Sequence, residues 1–164
     1  METAYHQDFP WWYGQFPLPE ETRGFYGFAH KNEEGNVRFF VPTSVPTGSR
    51  FVPLIAQIIS KCLCTAAIRE EQMQREILTD SCLDNNRFAG RTQAVERVSR
   101  CFERLTVNLG MTCNQPCGST DRIYTFLGVL YNHINQTVAI SEGIRNKVKG
   151  LVTTQTQDWT VRDC

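Results

Sequence analysis

Cys113 and Cys117 stand four positions apart, with Asn, Gln and Pro between them. That spacing puts two thiols in one tight turn, and two thiols are half of a tetrahedral zinc ligand set. Four ligands would further require Cys82 from another loop, together with Cys101 or His133. A second local pair is missing, because the single residue between Cys62 and Cys64 sends those thiols to different sides of a helix. The expectation is a protein without a cofactor, with Zn2+ at Cys113 and Cys117 as the alternative.

Other chemistries find fewer parts. Three histidines, His6, His30 and His133, could act as general bases. A cysteine nucleophile would need one of them beside a thiol of depressed pKa. No G-x-S-x-G elbow, phosphate-cradling G-x-x-x-x-G-K-[ST] loop or G-x-G-x-x-G turn occurs. The sequence therefore predicts a protein that is not an enzyme.

Nucleic acid is the next possibility. Arg97, Arg100 and Arg104 share one helix face, with Arg91 near its start. Such a row suits duplex RNA, whose recognition rests on shape. Glu96 and Glu103 flank it, and 17 basic residues are cancelled by 17 acidic ones along the chain. A binder driven by phosphate neutralisation carries a positive excess instead.

Residues 8–19, DFPWWYGQFPLP, are the most unusual stretch. Phe9, Trp11, Trp12, Tyr13 and Phe16 are punctuated by prolines and almost free of charge. Rigid aromatics give contact area at low entropy cost. This arm is expected either to pack across the helices or to bind a partner protein. A membrane interface also suits such rings, but no basic residue accompanies them.

Behind these residues lie the elements that must position them. Twelve of the 18 aromatics fall in residues 1–51, so an aromatic front precedes a helical back. Residues 23–30 and 37–41 are β-type runs, joined by a loop in which Gly35 or Asn36 suits positive φ. Apolar spacing predicts a helix over 51–78, a loop over 80–90, and a second helix over 91–109 stopped by Gly110. A third helix is expected from Ser119 or Thr120 to Gly150. Its seam, Ile123, Leu127, Leu130, Ile134, Thr137, Ser141, Ile144 and Val148, recurs near 3.5 residues.

The predicted fold is α+β and mostly α: a three-helix bundle with an N-terminal β-hairpin and aromatic arm. Residues 1–50 form the arm and hairpin, 51–150 the bundle and 151–164 a tail, within one structural domain. METAYHQDFPWWYG lacks the pattern of an export signal, and no apolar run reaches the roughly 20 residues of a membrane span. With seven cysteines, an odd number, reduced thiols and a cytoplasmic or nuclear setting are expected. The functional expectation is a protein-binding module that self-associates through the third-helix seam, in the style of a compact viral accessory or host-interaction protein. Duplex-RNA binding through the Arg91–Arg104 helix is the alternative.

Overall fold

A computed structural model describes residues 2–48, 50–113 and 120–153, with side chains to residue 150. Its centre is an antiparallel sheet ordered β1-β5-β4, built from β1 (Glu2–Asp8), β4 (Ile77–Cys82) and β5 (Asn85–Arg91). Side chains alternate between the two faces of a strand, and here both faces are covered. Tyr5 and Phe88, directly opposite in the register, point into a core shared with two helices. Ala4 and Ala89, also opposite, point into a second core under another sheet. A strand covered on both sides buries consecutive residues, as Thr3–Tyr5 and Asn86–Ala89 do.

The helical layer consists of α2 (Val52–Glu70) and α3 (Thr92–Asn108). Pro53 is tolerated in the first turn of α2, where its missing N–H has no intrahelical partner. The inner face of α2 presents Ala56, Leu63, Cys64, Ala67 and Ile68 to the sheet and to Val95, Val98 and Phe102 of α3. Gln57 pins the β4–β5 turn, donating to the Ser81 carbonyl at 2.9 Å and accepting from the Leu83 N–H at 2.8 Å. Gly110, at φ +71°, closes α3.

The second layer is the meander β6 (Ile123–Phe126), β7 (Val129–Asn132) and β8 (Thr137–Ile140), ordered β6-β7-β8. Tyr124 and Phe126, two residues apart, are buried against the central sheet. Helix α4 (Glu142–Thr153) follows. Before α2, the short α1 (Glu20–Arg23) leads into the hairpin of β2 (Phe28–Lys31) and β3 (Val37–Phe40).

The three-helix bundle is thus overturned. The first helix stops at Glu70, and residues 77–91, expected as helix end and loop, are the β4–β5 hairpin. The expected third helix is three strands followed by α4. Ile123 and Leu130 therefore never share a helix seam, and self-association through that seam falls with it. Within residues 1–50, β1 pairs along its whole length with β5. The second helix lies where the sequence puts it; the β2–β3 hairpin forms too, but residues 23–26, expected as strand, are the end of α1 and a 3-10 turn, and β2 begins at Phe28.

Candidate interaction surface

The aromatic arm divides sharply. Phe9 stacks on Trp12 with ring centres 4.3 Å apart and meets Phe102 of α3 at 5.9 Å. Trp12 is 3% exposed, Phe16 meets its edge at 4.7 Å, and Tyr13 packs against the same core. Trp11, held at φ +54°, turns the other way and is 89% exposed. Of the five predicted partner-binding residues, the structure buries Phe9 and Trp12, half-buries Tyr13 and Phe16, and leaves Trp11 free.

The β2–β3 hairpin is open to solvent along its whole length. All eight strand residues are exposed. Phe28 and Phe40, opposite in the register, stack at 5.5 Å, and Phe39 on the other face is 82% exposed. Its loop is built locally: the Asn32 side chain accepts from the Asn36 N–H at 2.8 Å, and Gly35 sits at φ +89°. The neck is tied to the arm, since the Leu18 N–H donates to Thr43 at 2.9 Å and the Val45 N–H to Phe16 at 3.0 Å.

Helix α2 carries a second apolar stripe, opposite its core face. Phe51, just before its first residue, and Leu54, Ile55 and Ile58 follow helical spacing and are each 52–65% exposed. Among the described residues, α2 is the one helix long and apolar enough to cross a membrane by length and composition. Its apolarity has two parts, the buried inner face and this outer stripe.

A polar cluster joins the two sheets. Arg87 of β5 is buried and forms an ion pair with Asp80. Its guanidinium donates to the Tyr124 hydroxyl at 3.1 Å and lies over the rings of Tyr131 and Phe126. The Tyr124 hydroxyl is also 3.3 Å from His133 Nε2, and Nδ1 of that ring faces Glu2 at 3.7 Å. Burial pushes the Tyr124 phenol above its ordinary pKa, with Arg87 opposing. The Tyr124 hydroxyl accepts from Arg87 and lies within hydrogen-bond reach of His133, so the cluster acts as a clamp between layers.

The metal candidates are spread apart. Cys101 is buried among the helices, whereas His133 stands by Tyr124 on the far side of the central sheet. Cys82 is exposed at the end of β4, and Cys113 lies 3.6 Å from the Thr106 hydroxyl. Cys117 lies outside the described residues. Among the described residues no three of His, Cys, Asp and Glu converge on one point. Burial raises the Cys113 and Cys101 thiols and lifts Cys64 to about 12, the direction opposite to an activated nucleophile.

On α3, Arg97 pairs with Glu71 at 2.9 Å and Arg104 with Glu70, both from the end of α2. The Glu70 carboxyl is held below its ordinary range chiefly by its bond to Arg104. Arg91 and Arg100 are exposed. Two of the four proposed phosphate contacts are thus already engaged with carboxylates. Neither motif nor spacing marks the hairpin and the α2 stripe as a surface; their signal in the sequence is the recurrence of Phe, five times in residues 25–51. No protein-family model matches the chain, and no curated protein matches its sequence.

Proposed function

We propose that the chain is a non-enzymatic protein-binding module that works through the β2–β3 hairpin and the outer stripe of α2. The observation that carries this reading is the hairpin itself, which holds three phenylalanines in eight residues and buries none of them. Exposed apolar patches beyond a few hundred Å2 mark binding surfaces in soluble proteins. The exposed, unpaired thiols of Cys62 and Cys82 fit a reducing compartment, cytoplasm or nucleus. Amine cross-linking and mass spectrometry in cells that make the protein test the reading. Lys31 on the hairpin and Lys61 on α2 should carry protein conjugates more often than Lys147 and Lys149 on α4. Equal labelling of all four would count against it.

A further inference from the structure

We propose that the occupant of these surfaces is a second copy of the chain. In this two-fold dimer each copy's β2–β3 hairpin lies on the outer stripe of the other copy's α2. The inference rests on the surface reading above and names its partner. A lone two-stranded hairpin is marginal in water and needs a further layer. Among the described residues none supplies one: no hairpin residue belongs to either buried core, and the Leu18–Thr43 and Phe16–Val45 bonds hold the neck in place.

The two surfaces fit each other in size. Strands of four residues span about 13 Å, and the run from Phe51 to Ile58 covers about 11 Å of helix. Four large side chains half to two-thirds exposed present roughly 400 Å2 on the stripe, and one hairpin face offers a similar area. Either surface alone would give a contact of crystal-packing size. Reciprocal docking covers both on each copy, about 800 Å2 per partner, which is what a stable interface of standard size needs.

Charge does not oppose the fit. The hairpin sets Glu33 and Glu34 at its tip against its own Lys31 and Arg38, and the outer side of α2, edged by Arg50, Lys61 and Arg69, has no acid before Glu70. The whole chain balances 17 bases against 17 acids, so two copies approach without net repulsion. Reciprocal exchange closes on itself by two-fold symmetry and leaves no free hairpin to continue a filament.

Sedimentation of the full chain with two surface variants tests the arrangement. The wild type should be a dimer. F39S/F40S in the hairpin and I55E/I58E in α2 should each sediment as monomers, their folds verified by circular dichroism. An equimolar mixture of the two variants retains one intact hairpin-on-helix contact, half of the interface, and should associate far more weakly than wild type. Either folded variant remaining a dimer by itself overturns the proposal. As a measurement free of substitution, cross-links between isotope-labelled and unlabelled wild-type copies should join Lys31 to Lys61. Links only from Lys61 to Lys61, joining α2 to α2, would overturn it. A monomeric wild type whose Lys31 and Lys61 cross-link to a different protein overturns the dimer and leaves the binding surface standing. A monomer with no conjugates at either lysine overturns both.

Discussion

The guanidinium carbon of Arg87 lies 4.3 Å from the centre of the Tyr131 ring, closing a buried contact between the central sheet and the β6–β8 meander. Phe126 flanks the same charge at 5.3 Å. A desolvated cation over aromatic faces is worth about 2 kcal/mol or more, and Asp80 balances its charge. Arg87→Ala removes the charge, the stacking and the fill of the second core together. It should lower stability in urea denaturation by about 2 kcal/mol, the cation–aromatic contribution, because Asp80 is 46% exposed and stays solvated without its partner. Arg87→Met keeps the volume and should cost clearly less. Equal losses for the two variants would show that the charge, which both remove, and not the packing carries the contact.

The same cluster sets an alkaline limit. Tyr124 is raised chiefly by burial, so the folded state prefers the protonated phenol. The stability this contributes is fully present below the ordinary tyrosine value of about 10 and is lost as pH rises through the folded value. Ultraviolet titration should show one phenol ionising later than the others, and Tyr124→Phe should abolish that late step. Loss of stability beginning below pH 9 in the wild type would have another source.

Adjacent tryptophans should behave in opposite ways. Trp12 stacks on Phe9 inside the core, so Trp12→Ala should cost about 3–5 kcal/mol. Trp11 is exposed and left-handed, a conformation that costs a non-glycine residue of order 1 kcal/mol. Trp11→Gly should therefore leave thermal stability unchanged or slightly raised. Deleting residues 1–20 removes β1, Phe9 and Trp12 at once and should abolish cooperative unfolding. A truncated chain that still melts cooperatively would place the arm outside the core.

These contrasts show what is legible in sequence. Helix α3 and the β2–β3 hairpin are readable because each has one period and a local stop, Gly110 for the helix and Gly35 for the turn. The β4–β5 hairpin is hidden because two of its four buried positions are polar and the four are consecutive: Asn86 accepts from the Cys64 thiol at 3.3 Å, and Arg87 is caged by aromatics. Burial there depends on partners distant in sequence, which no hydrophobic period records. In residues 123–140 the 3.5-residue spacing joins residues from three different strands. The better signal is their β-branched and aromatic content. The β6–β7 turn does carry a marker, Gly128 at positive φ after Leu127, whereas the β7–β8 turn uses Gln136 at positive φ, where Asn or Gly is usual. The surface proposed above went unseen because exposure of an apolar residue depends on what fails to cover it.

Cysteine reactivity separates the thiols without disturbing the fold. Cys62 and Cys82 are exposed, whereas Cys64 and Cys101 are buried. Burial raises Cys64 from the ordinary thiol value near 9 to about 12. Maleimide labelling at neutral pH, followed by mass spectrometry at each site, should modify Cys62 and Cys82 first. Cys64 and Cys101 should label only as the chain unfolds. Because the folded pKa is raised, the contribution of Cys64 to stability is fully present below pH 9 and disappears as pH climbs toward 12. Cys64→Ala should flatten that alkaline loss and leave stability at neutral pH lower, through the missing contact with Asn86 and the cavity. Rapid native-state labelling of Cys64 would show that α2 does not rest against β5 as described.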